Sequence, residues 1–369
     1  MNKYFDTFYD WWKNIDKTIF LIISLLFSLG LFFSLASTSI IASDKLNTNS
    51  YYFFLKHLIF VSVGTLLILI FSLLNQKILI RISVIFFLLT FISLLLVPLI
   101  GIEVKGSKRW LDIGSLPRFQ PIETLKPFFV IVISLIISLE KKNLYLKYFL
   151  STVVLIPIII LLLSQPDLGQ TLLIISVWLA IIFVSGINLF LFAISLLAVC
   201  SSTLFLVFLV PKFEYIRIRL MSFLDTSSGN NYQADKASDA ISGGGFFGKG
   251  IGEGTLNSKI PEAHTDYIIS VIAEEFGVVI LIAIILLYLV FSYRVLKKIN
   301  FIKNNNFKLI LVGSISIILL QTFIHIGVNI RVLPTTGMTM PFISYGGSSI
   351  VGTSILTGII LNLTKRKLD

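Results

Sequence analysis

Between Lys259 and Gly277 the chain places Glu262, His264 and Asp266 within about one helical turn, just before an apolar run that continues to about Phe291. Glu274 and Glu275 lie inside that run. A carboxylate at bilayer depth costs about 2.5–3.5 kcal/mol or more, so a chain that keeps one there uses it. The chemistry open to such groups is proton transfer at a membrane surface or, with a histidine between them, cation binding. His-x-Asp in one turn is too little to name a metal, so a divalent cation stays open and no other cofactor is implied. Asp266, Ser270, Ala273, Glu274 and Gly277 follow helical spacing and form one small or polar stripe among Ile, Val and Leu. The pattern predicts a helix whose stripe faces a wet cavity or another helix.

Further candidates are spread along the chain. The stretch Gly101–Gln120 carries Lys105, Lys108, Arg109 and Arg118. Gln120-Pro-Ile-Glu-Thr-Leu-Lys126-Pro127 follows, with Pro121 suited to a first helical turn and Glu123 and Lys126 as i, i+3 neighbours just inside an apolar run. Lys126 is either a structural partner of Glu123 or a lysine reaching to the interface. Pro127 removes one helix hydrogen bond. Asp167 precedes an apolar run and reads first as an N-cap. Pro211–Leu220 looks like a short amphipathic helix with Arg217 and Arg219 on a basic side.

Gly243 to Lys249 matches G-x-x-x-x-G-K, but Gly250 stands where a phosphate loop needs Ser or Thr and no strand precedes it. Its amides could still form an anion nest, and a flexible lid is the preferred reading. Asn329–Ser349 brings Pro, the pair Gly346-Gly347 and the pair Ser348-Ser349 to the start of the last run. Those glycines serve either close helix packing or anion binding. His57 and His325 lack partner spacing and read as structural.

The elements that must position these residues are membrane helices. The 369 residues are 56% hydrophobic and 13% charged, and apolar runs long enough to cross a roughly 30 Å core recur along the whole chain. The fold class is an all-α polytopic membrane protein with about ten transmembrane helices, at about 18–42, 55–74, 79–100, 122–139, 148–163, 167–185, 188–210, 266–291, 307–329 and 342–363. One large outward loop, 211–265, separates the seventh and eighth spans within a single membrane domain, 18–369. Residues 1–17 form an interfacial segment in which Tyr4, Phe5, Phe8, Trp11 and Trp12 could share one side of a short helix. An even span count and the distribution of Lys and Arg predict both termini on the cytoplasmic side. The single cysteine, Cys200, falls mid-span, which excludes a disulfide framework and suggests core packing. No basic run suggests nucleic acid.

Six stretches together resemble the motifs of the SEDS family (shape, elongation, division and sporulation). They are Lys108-Arg-Trp-Leu-Asp-Ile-Gly, Gln120-Pro-Ile-Glu-Thr-Leu-Lys, Gln165-Pro-Asp-Leu-Gly, Gly243–Gly250, Pro261-Glu-Ala-His-Thr-Asp-Tyr-Ile and Pro341-Phe-Ile-Ser-Tyr-Gly-Gly-Ser-Ser. Leu333–Tyr345 and Pro261–Asp266 resemble the family's division branch more than its elongation branch, and Gly252-Glu-Gly resembles alphaproteobacterial forms. The chain departs from the family at Ala234–Ser238 and at Pro127. The resemblance implies a peptidoglycan glycosyltransferase that polymerises lipid II at the outer face of the bacterial inner membrane, at the division septum. It places Asp266 as general base, with undecaprenyl pyrophosphate as leaving group. It implies substrate contacts by Lys126, Arg109, Arg217, Arg219, Gln233, His264, Thr265 and Ser348, with Glu123 orienting Lys126. The implied partners are lipid II, undecaprenyl-linked glycan, a class B penicillin-binding protein of the transpeptidase type, divisome proteins and membrane lipids. A lipid II flippase, an elongation polymerase and a recruiting scaffold are the competing readings. The clustering of polar motifs on the outward side, with no internal repeat, favours the enzyme over a transporter.

Overall fold

The computed structural model describes residues 9–38, 51–104, 106–112, 114, 117–140, 143–224, 232–256, 260 and 262–365. Tyr4, Phe5, Phe8, Lys105, Lys259 and Pro261 lie outside the described residues, as does the end of the first predicted span. After a helical stretch over 9–14, twelve α-helices and one hairpin are described. They are α1 (Lys17–Phe33, continuing as a π turn Ser34–Thr38), α2 (Tyr52–Leu73), α3 (Gln76–Ile100), β1 (Ile102–Val104), β2 (Ser107–Trp110), α4 (Pro121–Ile137), α5 (Leu144–Ser164) and α6 (Leu168–Val184). Then come α7 (Leu189–Leu209), α8 (Glu214–Leu224), α9 (Tyr232–Gly244), α10 (Ile268–Ile299), α11 (Asn305–Asn329) and α12 (Gly347–Leu363). All but α8 and α9 are apolar, which makes ten candidate crossings among the described residues. Six of them, α1 with its π turn, α2, α3, α5, α10 and α11, are long and apolar enough to cross a membrane by length and composition alone.

Polar caps start several helices. The Asp16 carboxylate accepts from the Thr18 and Ile19 amides, Asn75 caps α3, Asn143 caps α5, Asp167 caps α6 and Asn304 caps α11. Pro121 opens α4, where a missing N–H costs nothing. Asp167 therefore has the capping role read from the sequence, and the last span starts at Gly347 rather than at 342 because Pro341–Gly346 forms an irregular turn.

α4 is the centre of the bundle, and every residue from Pro121 to Ile131 is buried, Glu123 and Lys126 included. It packs against α3, α11 and α12, while α12 also packs along α2. Pro127 cannot donate to the Glu123 carbonyl. At that level α12 carries Gly352, where a Cβ would overlap the Glu123 carbonyl oxygen. The close approach that Gly352 permits covers the carbonyl that Pro127 leaves without a helical donor. At the periphery α7 is largely exposed, and Cys200 is exposed with it. The reading of Cys200 as core packing is thus corrected: an all-apolar helix gives no signal of which face meets lipid.

α10 is about 48 Å long at about 1.5 Å per residue, more than a hydrocarbon core of about 30 Å requires. It is broken at Gly277 (φ 79°, ψ 174°). The part after Gly277 still spans about 33 Å, so the break falls near one membrane surface. The glycine-rich stretch docks in it. The amides of Lys249 and Gly250 donate to the carbonyls of Glu274 (2.9 Å) and Glu275 (3.1 Å), and the Val278 amide donates to Gly245 (3.0 Å). A Cβ at Gly277 would overlap the Phe246 carbonyl. These bonds overturn the readings of this stretch as a lid and as an anion nest, because its amides serve α10. They also divide the predicted stripe. Asp266 precedes the helix, Ser270 bonds to Asn329, Glu274 turns to Lys249 (2.8 Å) and the Thr255 and Leu256 amides, and Gly277 is the break.

The opposite end is tied separately. Asp16, almost fully buried, pairs with Arg294 (3.1 Å) and Lys298 (3.1 Å) at the end of α10. Trp11 donates to Ser72 (2.9 Å), and Asn362 donates to the last carbonyls of α2.

Candidate functional site

The α3–α4, α5–α6, α7–α10 and α11–α12 connections all emerge at one end of the bundle. Those of α3–α4, α7–α10 and α11–α12 line a cavity of about 340 Å³. Its walls come from the hairpin (Val104, Ser107, Arg109, Trp110), the start of α4 (Gln120, Glu123), α8 (Arg219), α9 (Gln233), the entry to α10 (Glu262, Thr265, Asp266, Tyr267) and the segment Thr335–Ser349.

Asp266 sits in a compact turn that precedes α10. Its amide donates to the Glu262 carbonyl (3.1 Å), and its own carbonyl accepts from Asn329 (3.1 Å). Asn329 is in turn held by Ser270 (2.7 Å) and by the His325 carbonyl (2.8 Å). The Asp266 carboxylate is half-buried and faces Gly337, where a Cβ would stand 3.4 Å from Oδ2. Thr265 donates to the Glu262 carboxylate (3.0 Å), and the Thr265 carbonyl accepts from Ser344 (2.7 Å). Glu262 holds its turn in the left-handed region (φ 56°), a conformation uncommon for residues with a Cβ.

Two guanidiniums face the same space. Arg109 is aimed by the backbone of the α5–α6 turn. It donates to the carbonyls of Gln165 (3.0 Å) and Pro166, and its charge lies 3.7 Å from Asp167. Arg219 lies over the Tyr215 ring (5.9 Å), and burial together with the neighbouring Arg109 pulls it below the usual arginine range. An arginine so placed keeps its proton and so keeps its charge. Burial pushes the Tyr215 hydroxyl up to about 12, and it donates to the Leu163 carbonyl (3.2 Å).

Beneath the cavity runs a buried polar network. Lys126 pairs with Glu123 (2.8 Å) and donates to Gln321 (2.8 Å), and Gln170 donates to Glu123 (2.6 Å). Gln321 passes the contact on to the Thr339 carbonyl (3.0 Å), and Thr339 donates to Ser349 (2.7 Å). The segment that faces Asp266 is therefore moored to a buried ion pair.

Of the residues expected from sequence, Asp266, Glu123, Arg109, Arg219, Gln233, Thr265 and Ser348 line the cavity. Ser348 accepts from the Gln120 amide (3.0 Å), which fixes the start of α4. Lys126 lies below the floor as the partner of Glu123, which is the structural half of the sequence reading. Arg217 is exposed and outside the lining, one residue from the inward Ile216 on α8. His264 packs behind the wall in tilted ring contacts with Phe53 (5.0 Å) and Tyr345 (5.8 Å). Gly346 and Gly347 serve packing, since a Cβ on Gly347 would meet the Phe60 ring. No three His, Cys, Asp or Glu come together in a metal-holding group among the described residues. Sequence reasoning missed Gln170, Gln321, Asn329 and Thr339. A signal existed for the first three, because amide side chains inside apolar runs must find partners.

The helices and site together define a polytopic membrane protein with an acidic and basic cavity at one end. The family model described as "Cell cycle protein" (FtsW, RodA, SpoVE) matches residues 16–368. The chain belongs to this family, known as SEDS. A relative from Caulobacter vibrioides named "Probable peptidoglycan glycosyltransferase FtsW" is 31% identical over 368 residues, covering 97% of this chain and 91% of the relative. One of the same name from Coxiella burnetii is 35% identical, covering 95% and 96%. Among solved structures, one described as "Structural coordination of polymerization and crosslinking by a peptidoglycan synthase complex" superposes with TM-score 0.77 at 24% identity, covering 95% of this chain and 97% of the other. The rod shape determining protein RodA of Thermus thermophilus gives 0.70 at 22% identity, covering 95% and 96%. These two establish the shared fold.

Proposed function

We propose that this chain is a peptidoglycan glycosyltransferase that polymerises lipid II during cell division, with the cavity on the outer face of the inner membrane and both termini in the cytoplasm. The observation that carries the reading is Asp266, a half-buried carboxylate on a cavity wall shared with Arg109 and Arg219. Curated relatives at 31% and 35% identity carry the name of this activity.

In this reading Asp266 takes the proton of the acceptor sugar's 4-hydroxyl. The freed oxygen attacks C1 of the donor sugar with inversion, and the bond from C1 to the diphosphate oxygen breaks. The undecaprenyl diphosphate leaves with the bonding pair, and Arg109 and Arg219 stabilise its developing charge. Lys126, one layer below and paired with Glu123 of the lining, holds Gln321 and through it Thr339 and the wall that faces Asp266. Gln233, Thr265 and Ser348 line the same cavity and offer polar groups for sugar hydroxyls in this reading. A transpeptidase of the class B penicillin-binding type is the proposed partner, in keeping with the coupled activities named for the fold neighbour.

The test is polymerisation of purified lipid II by the full chain, alone and with its transpeptidase, against Asp266→Asn. The expected result is polymer from the wild type and a loss of about 10²–10⁴-fold in the variant with its fold intact. Equal polymer from both would remove Asp266 from the chemistry.

A further inference from the structure

Beside the main cavity lies a second, of about 260 Å³, that the mechanism above does not use. Ile218, Arg219, Ser222 and Phe223 of α8, Ala234 of α9 and Arg331, Leu333 and Thr335 of the α11–α12 connection line it. Arg219 and Thr335 line both cavities and form the partition between them. Among the described residues the second lining holds two guanidiniums, and the rest of it is apolar or hydroxyl.

Arg331 is held there against its backbone preference. It stands at φ 57°, in the left-handed region that Gly or Asn normally occupies. The strained turn carries its neighbours Val332 and Leu333 back onto the Gly327 carbonyl (2.7 and 3.0 Å). The one ion pair that Arg331 makes among the described residues is with Asp235 of α9 (2.5 Å), and both side chains are part-exposed, 28% and 41%. The Asp235 oxygen in that contact is itself buried. A strained backbone that holds a guanidinium on a cavity wall points to a role for that group.

We propose that the Arg219–Arg331 cavity is a second anion seat, for the diphosphate of a lipid-linked molecule. The proposal rests on the polymerase reading, and that reading calls for it. Joining two lipid-linked sugars brings two diphosphates to one carboxylate, and the second cavity adds Arg331 to Arg109 and Arg219 for them. Arg219, between the two cavities, touches both anions. Arg331 exchanges Asp235 for the second. Charge-assisted contact with a planar guanidinium suits a phosphate oxygen pair.

The test is binding of geranyl diphosphate to the full chain in detergent by calorimetry, with stoichiometry as the readout. Wild type is expected to take two molecules. Arg331→Gln is expected to take one, with the other weakened at least tenfold. Asp235→Asn is expected to bind the second more tightly, because it removes the carboxylate that competes for Arg331. That opposite sign separates an anion seat from a latch. If Arg331→Gln and Asp235→Asn weaken binding alike, or neither changes it, the proposal is overturned. Phosphatidylglycerol in the same detergent separates the sources. Displacement of the second geranyl diphosphate at equal concentration would overturn the diphosphate assignment in favour of a bilayer headgroup. Lipid II polymerisation is scored separately. Two seats without polymer would keep this site and remove the polymerase reading, whereas polymer with one seat would do the reverse.

Discussion

Replacing Lys126 by Met is expected to destabilise the bundle far more than its lost packing would. Lys126 and Glu123 are each about 95% buried, and their charges meet at 2.8 Å. With the ammonium gone, the Glu123 carboxylate keeps, among the described residues, the Gln170 amide (2.6 Å), inside a core of Phe128, Phe129 and Ile122. Breaking a buried pair from one side costs about 3–5 kcal/mol, because the remaining charge stays desolvated. Glu123→Gln strands the ammonium in the same way, with Gln321 as its remaining acceptor, and is expected to cost a similar amount. The double variant carries no stranded charge, and the amide that replaces the Glu123 carboxylate can still accept from Gln170. It is therefore expected within about 1.5 kcal/mol of wild type. The assay is a double-mutant cycle of reversible unfolding in mixed detergent and SDS micelles, followed by circular dichroism. Singles that each cost under about 1 kcal/mol, or that add in the double, would refute the reasoning that a coupled buried pair holds the cavity floor. Polymerisation by the folded double variant would then report the mooring of Thr339 through Gln321 apart from stability.

Gly277→Ala places a side chain at φ 79°, ψ 174° against the Phe246 carbonyl, so it is expected to cost at least about 1–3 kcal/mol for the backbone alone. A shift in unfolding midpoint no larger than that of an exposed Gly→Ala control would contradict the docked geometry. At the other end, burial raises the Asp16 carboxyl, but Lys298, the Ile19 amide and Arg294 outweigh it and hold it below its ordinary value of 3.8. Its contribution is thus present above pH 3.8 and is lost as pH falls through the lower folded value. Unfolding between about pH 6 and 3 is expected to show a steeper loss in wild type than in Asp16→Asn, and parallel curves would refute it. Asp266→Asn and the Arg331/Asp235 pair complete the set, with their assays given above.

The ten apolar helices were legible because water and lipid sort residues by transfer energy alone, and that needs no tertiary information. The starts of two helices were legible too, since Asp167 and Pro121 act on backbone within the same turn, whereas the caps Asp16, Asn75, Asn143 and Asn304 were not read. Asp266, Arg109 and Glu123–Lys126 stood out as charges that an apolar chain does not keep without use. The glycine-rich stretch shows where this reasoning stops. Its flexibility is local, yet what it does depends on the carbonyls opened at Gly277, about thirty residues away in sequence. Arg217 and Arg219 are alike in sequence, and the tilt of α8 alone puts one in solvent and the other in the cavity.

The sequence by itself determined that this is a membrane bundle with acid and base at one end, because burial cost and helical period are properties of residues and their near neighbours. The tertiary structure alone decided which charges meet. Gln321 receives Lys126, Gly352 covers the carbonyl Pro127 cannot serve, and Arg331 stands beside Arg219. Each of these depends on how helices far apart in the chain are packed, and in a low-dielectric core a shift of about one ångström decides whether a charge is paired or stranded.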